Sequence, residues 1–124
     1  MSIVDSSGWL EYFADGKNAS FFEAPILRTA ELIVPSISLY EVFKRVYQQR
    51  GESEALVAVA LMQQGSVDDL DATLALSAAR IAAEVKLPTA ESIILASARA
   101  SGAIPWTQDS DFEGLDDVRY VSSA

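Results

Sequence analysis

The sequence predicts an α/β sandwich built on a small, mostly parallel sheet, and three observations predict it. Short apolar runs bounded by turn residues ("SIVD", "LIVPS", "AIPW", "VRYVS") read as strands. Longer stretches with helical spacing lie between them. The two kinds alternate, which is the order that places parallel strands beneath crossover helices.

Taken in chain order, residues 2–5 form a strand that ends in Asp5. "SSGWLEYFAD" starts a helix, with Ser7 as its expected N-cap. Residues 18–31 have helical spacing interrupted by Pro25, so two short helices are expected there. "LIVPS" is a second strand closed by a Pro-Ser helix start. In the helix that follows, Leu39, Tyr40, Phe43, Val46 and Tyr47 gather on one side of a helical wheel, and Gly51 ends the run. "SEALVAVALMQQG" is another helix, closed by Gly65. "SVDDLD" is a connector that could pair as an edge strand. "ATLALSAARIAAEVK" is rich in Ala and Leu, strong helix formers, and stops before Pro88. Thr89 is placed to cap a helix over 90–101, which ends at Gly102. A buried strand "AIPW", a loop with a short helix at "TQDSDFEGL", and a last strand "VRYVS" complete the chain.

Composition narrows the chemistry. A chain of 124 residues, half of them hydrophobic, is expected to form one domain over 1–124 with a core that needs no staples. It has no cysteine and no histidine, which removes disulfides, thiolate or imidazole metal sites, and histidine general bases. Catalysis would fall to carboxylates, hydroxyls, Lys or Arg, and any metal would be a hard cation held by oxygen. The net charge of −9 taken alone argues against a nucleic-acid binder. No apolar run approaches the ~18 residues of a membrane span. The start "MSIVDSSGWL" lacks the basic and apolar segments of a signal peptide, so a cytoplasmic protein with no membrane partner is expected.

Four acids fall at strand ends and helix starts, the edge where such sheets collect ligands. Asp5 follows the first strand and Asp109 the strand "AIPW" with Thr107. Glu91 sits at about the second position of its helix, and Glu41 in the first turns of the helix after the second strand. Each also has a purely structural reading. Asp5 can accept hydrogen bonds from the next helix. "SLYE" has the spacing of a capping box, Ser38 with Glu41, and "SDFE" repeats it with Ser110 and Glu113. Glu41 is also spaced for a surface ion pair with Lys44 or Arg45, and Glu91 suits a helix dipole. Their joint occurrence carries the functional reading. Carboxylates gathered without bases repel one another and need protonation or a cation. With no His or Cys the natural cation is Mg²⁺ or Mn²⁺, which suits phosphodiester hydrolysis.

"IVDSSGWLEYF", "SISLYEVFKR", "LPTAESIILASA" and "WTQDSDFEGL" resemble the four motif regions of PIN-domain ribonucleases, above all the VapC-type toxins of toxin–antitoxin pairs. The resemblance covers nearly the whole chain in order and spacing. It implies a three-layer α/β/α fold with a central parallel sheet and a Mg²⁺- or Mn²⁺-dependent endoribonuclease acting on single-stranded or looped RNA. It implies an acidic quartet of Asp5, Glu41, Glu91 and Asp109, with Ser6 and Thr107 orienting the carboxylates. Asp111 is a possible fifth acid, with Asp109 favoured by the Thr-x-Asp spacing; Asp111 with Phe112 would anchor the short helix. Lys44, Arg45 and Arg50 are the candidates for RNA phosphate contacts, with solvated surface charge as the plain alternative. The resemblance also implies a homodimer and an antitoxin partner that covers the site. Trp9, Tyr12, Phe13, Phe21 and Phe22 could line that partner's groove, although most of them fit the core better. The departure is Glu91, where the family usually has Asp. That difference leaves room for a catalytically weakened module acting through antitoxin or RNA binding. A Mg²⁺-binding receiver domain would want a paired acid at the first strand and a Lys after the last, and no Lys lies beyond Lys86. A phosphatase with an Asp nucleophile would want Asp-x-Asp where this chain has "DSS".

Overall fold

Each apolar run becomes a strand. In the computed structural model, which describes residues 1–124, β1 is Ser2–Val4, β2 Leu32–Pro35, β3 Ser66–Asp68, β4 Ile104–Thr107 and β5 Arg119–Tyr120. The strands form one sheet in the order β3-β2-β1-β4-β5, and every pairing is parallel. The uncertain segment after Gly65 is thus an edge strand, β3, paired with β2. The helices are α1 (Ser6–Phe13), α2 (Ala19–Leu27), α3 (Ser36–Arg50), α4 (Glu52–Met62), α5 (Ala72–Val85) and α6 (Thr89–Ser101).

Alternation along the strands makes the three layers. In β1 and β2, Val4, Leu32 and Val34 face one side and pack with Trp9, Phe22, Val42 and Met62 from α1 to α4. Ile3 and Ile33 face the other side and pack with Ile94 and Ala98 of α6. The sheet is therefore covered on both faces, as a parallel sheet requires. Residues 92–98 of α6 are all buried, because α5 covers the face that α6 turns away from the sheet.

Several local expectations are corrected. Asp5, not Ser7, caps α1: its side chain accepts from the Gly8 N–H, and the helix begins at Ser6. Pro25 does not split its segment. α2 runs through it at the expense of one intrahelical hydrogen bond, since Pro25 has no N–H to offer the Phe21 carbonyl, and only a 3₁₀ turn, Thr29–Glu31, follows. The buried side of α3 is Ser38, Val42 and Val46, with Leu39 and Phe43 half-buried, whereas Tyr40 and Tyr47 are exposed. A buried serine is tolerated at 38 because its hydroxyl lies 3.2 Å from the Ser6 oxygen, which can accept from it while Ser6 donates to Glu41. Ser38 lies inside α3, so "SLYE" is not a capping box, and neither α3 nor α6 has a side-chain cap. Thr89 instead offers its backbone carbonyl to the Ser92 hydroxyl. The short 3₁₀ turn Ser110–Phe112 is capped by Asp109 rather than Ser110.

Candidate active site at the carboxyl ends of the strands

Asp5, Glu41, Glu91 and Asp109 line one cleft of about 410 Å³ where β1 and β4 end and α1, α3 and α6 meet. Four separate sequence signals therefore converge in space: two strand ends and two helix starts.

Asp5 is the buried floor of this cleft, only 2% exposed. Its Oδ1 accepts from the Gly8 N–H at 3.0 Å, and its Oδ2 accepts from the Thr107 hydroxyl at 2.7 Å. The Ser7 hydroxyl stands 2.8 and 3.0 Å from the two oxygens. Burial pushes the Asp5 carboxyl up to about 6, and the nearby Asp109 charge adds to this, against the lowering effect of the Thr107, Gly8 and Ser7 donors. Thr107 is fully buried and works in both directions, because its Oγ1 also accepts the Asp109 N–H at 2.9 Å. One hydroxyl thereby fixes the relative position of the two strand-end acids.

Glu41 is oriented by the Ser6 hydroxyl, which donates to its Oε1 at 2.7 Å. The expected ion pair between Glu41 and Lys44 or Arg45 does not form; the one ion pair in the chain is Arg50–Glu54 at 3.5 Å. Glu91 is half-buried at the first turn of α6. Burial raises its carboxyl to about 7, and the charges of Asp109, Glu41, Asp111 and Asp5 push the same way. All five acids thus belong to one electrostatic neighbourhood. Carboxylate oxygens of Glu91, Asp109 and Asp111 lie within 4.8 Å of one another. Asp109 and Asp111 are both members of that cluster, the first half-buried and the second exposed. The Asp111 side chain does not cap the short turn; Asp109 does, accepting the Asp111 N–H at 2.9 Å.

Of the bases, Lys44 and Arg45 line the acid cleft. Arg50 does not; it faces a larger groove of about 680 Å³ between α1, α3 and α4, and Arg45 borders both. Among the early aromatics, Trp9 and Phe22 are core, Tyr12, Phe13 and Phe21 are half-buried, and Phe13 alone lines that larger groove. Sequence reading missed two contributors. Ser38 supports Ser6, and Ser7 grips Asp5 instead of capping the helix. An Asp three residues before a Gly at a helix start, "DSSG", is the capping pattern that signals the second.

The donor set fits a hard divalent cation. Every available ligand atom is a carboxylate oxygen, three of them already converge, and no protein cation pairs with any of these acids.

Residues 2–118 match the PIN domain family. The chain belongs to the PIN domain family. Solved structures agree on the fold. A toxin–antitoxin complex from Klebsiella pneumoniae superposes with a TM-score of 0.79 at 19% identity, covering 98% of this chain and 97% of that one. VapC20 from Mycobacterium tuberculosis, described as a sarcin-ricin loop cleaving toxin, gives 0.78 at 17% identity over 95% and 97%. DNA-bound VapBC from Salmonella typhimurium gives 0.74 at 19% identity over 98% of each chain. No curated protein matches the chain significantly. Within this PIN domain, Glu91 occupies the place where the resemblance leads one to expect Asp, and its longer side chain still reaches the cluster. No helix of the PIN domain is long and apolar enough to cross a membrane.

Proposed function

We propose that this PIN domain is a Mg²⁺- or Mn²⁺-dependent endoribonuclease that serves as the toxin of a toxin–antitoxin pair in the cytoplasm. One observation carries the reading: three carboxylates converge within 4.8 Å above a buried Asp5 held by Ser7, Gly8 and Thr107. Glu91, Asp109 and Asp111 would hold the cation, with Asp5 and Glu41 adding negative charge beside it. When bound, such a cation supplies Lewis-acid stabilisation of phosphoryl charge and makes water a better nucleophile.

The chain's own residues do the rest. Thr107 and Ser7 fix the Asp5 carboxylate, Ser6 fixes Glu41, and the Thr107 hydroxyl, accepting the Asp109 N–H, ties Asp109 to Asp5. This is positioning by short hydrogen bonds, on the scale where a 1 Å error costs about 10²-fold in rate. Lys44 and Arg45 on the rim supply the positive charge that RNA phosphates need in a chain of net charge −9. The larger groove, lined by apolar Leu10, Phe13, Val46, Val57 and Leu61 together with Arg45, Arg50 and Glu54, suits an amphipathic antitoxin segment. The VapBC complexes among the similar structures support that partner, and a homodimer is the expected assembly. The reach of Glu91 into the cluster weighs against a non-catalytic module.

Asp5→Asn keeps the shape of the buried side chain and removes its charge. Metal-dependent cleavage of single-stranded RNA is expected to be lost while the circular dichroism spectrum is unchanged. Cleavage by the variant at the parent's rate removes Asp5 from the mechanism.

A further inference from the structure

The cleft is bordered on its α3 side. Tyr40, Lys44 and Gln48, which line it, also line a second groove of about 610 Å³ that follows α3 to Tyr47 and is walled by Val59 of α4. The two spaces adjoin across those three side chains. The composition of this groove stands apart from the rest of the chain. Acids outnumber bases eighteen to nine overall, yet no acid lines the groove and Lys44 is its one charged residue.

Its aromatic rings are placed for use rather than for packing. Tyr40 is 59% exposed and Tyr47 51% exposed, although both sit on a helix whose other side is core. Phe43 stacks on Tyr47 with 5.7 Å between centroids, which props the Tyr47 ring from one side. The Lys44 ammonium lies 5.8 Å from the Tyr40 ring centroid. Tyr40 and Tyr47 are two helical turns apart, about 10 Å along α3, the span of roughly three stacked nucleotides. Ring faces, one cation and the amide side chains of Gln48 and Gln63 on an acid-free strip match what an unpaired nucleotide offers: a base to stack, a phosphate to pair and an edge to hydrogen-bond. The mixed charges of the larger groove suit a peptide better, which separates the two surfaces by chemistry.

We infer that this groove is a base-binding subsite for single-stranded RNA, in which Tyr40 and Tyr47 stack on unpaired bases flanking the phosphodiester at the carboxylates, Lys44 pairs with a phosphate between them and Gln48 reaches a base edge. The inference rests on the ribonuclease reading and extends it to how the substrate is held. Base-paired RNA hides its base faces, so the subsite selects single strands and loops.

The test uses the full chain and two substrates. A short single-stranded RNA carrying 2-aminopurine is titrated in EDTA, where binding is read without cleavage. Hydrolysis of bis(p-nitrophenyl) phosphate with Mn²⁺ reports the carboxylate site alone, because this diester is too small to span the groove. Replacing both Tyr40 and Tyr47 by Leu keeps apolar area and removes the ring faces. This pair is expected to weaken RNA binding on the order of 10- to 100-fold and abolish the 2-aminopurine quenching. Hydrolysis of the small diester should be unchanged in Tyr47→Leu alone, because Tyr47 lines only the second groove, and Trp at both positions should restore RNA affinity. Lys44→Met should reduce the slope of log affinity against log salt by about 0.7. RNA affinity unchanged in the Leu pair, with the small diester still hydrolysed, overturns the subsite and leaves the ribonuclease standing. If light scattering then shows the Leu pair losing dimerisation, the face belongs to a second copy of the chain. Joint loss of RNA binding and diester hydrolysis in Tyr47→Leu alone also overturns it, since the ring would then act through the carboxylate site. A parent chain that neither binds RNA nor hydrolyses the diester removes both readings.

Discussion

The charge balance of the site turns on Glu91. Its carboxyl is raised to about 7, first by burial and then by Asp109, Glu41, Asp111 and Asp5, so it is the acid that most needs neutralising. It is also the position at which this chain departs from the Asp that the PIN resemblance leads one to expect. The extra methylene gives a reach of about 1.5 Å, and with it the Glu91 oxygens come within 4.8 Å of those of Asp109 and Asp111. Glu91→Asp withdraws the carboxylate from two partners whose backbone is tied down, Asp109 by the Thr107 hydroxyl and Asp111 by the Asp109 carboxylate. Mn²⁺ affinity, read by calorimetry, and RNA cleavage are both expected to fall, cleavage on the order of 10-fold or more. A variant that cuts faster than the parent would mean that the Glu side chain, not the Asp, is the misplaced one.

At the level of elements, the approach of α1 to α2 and β1 sets the site. Gly8 allows it: a Cβ there would meet the Phe22 ring at 2.5 and 2.7 Å and Val4 at 2.8 Å. The Gly8 N–H is also a donor to Asp5, so the same residue that lets α1 sit close holds the cleft floor. Gly8→Ala is expected to destabilise the fold by about 1–3 kcal/mol through overpacking, measured by urea unfolding, and to reduce metal-dependent cleavage at temperatures where the variant remains folded. Full activity in a destabilised Gly8→Ala protein would uncouple helix placement from the site. Gly8 and Ser7 also mark where sequence reading stops. Period-two and period-3.6 patterns are local, so the strands, every helix but the one that runs through Pro25, and the acids beside them are legible along the chain. The grip of Ser7 on Asp5, the Ser6–Ser38 contact and the meeting of Asp111 with Glu91 are set by tertiary approach and leave no periodic trace. The same limit explains α3: its helical wheel groups the apolar residues on one side, whereas packing buries Ser38 and leaves Tyr40 and Tyr47 outside.

For the molecule as a whole, a net charge of −9 and a cleft of unpaired acids make the metal-free chain an electrostatically strained fold. Asp5 titrates at about 6 in the folded chain against an ordinary 3.8, and Glu91 at about 7 against 4.5. Between those limits the folded protein keeps protons that the unfolded chain has released. Stability from this source is therefore complete below pH 4 and is lost as pH rises through about 6 and then about 7. For the buried Asp5 the difference corresponds to about 3 kcal/mol, so the effect is visible in a urea titration. In EDTA, unfolding free energy is expected to decline from pH 5 to pH 7.5, and Asp5→Asn should flatten the lower part of that decline. A divalent cation reverses the sign locally, because it favours the ionised acids. Mn²⁺ should accordingly raise the melting temperature strongly at pH 7.5 and little at pH 5, where protons compete for the same oxygens. Metal-free stability that rises across this range, or a Mn²⁺ effect as large at pH 5 as at pH 7.5, would mean that the acids are not the seat of cation binding. The surplus of acid would then belong to the surface rather than to the cleft.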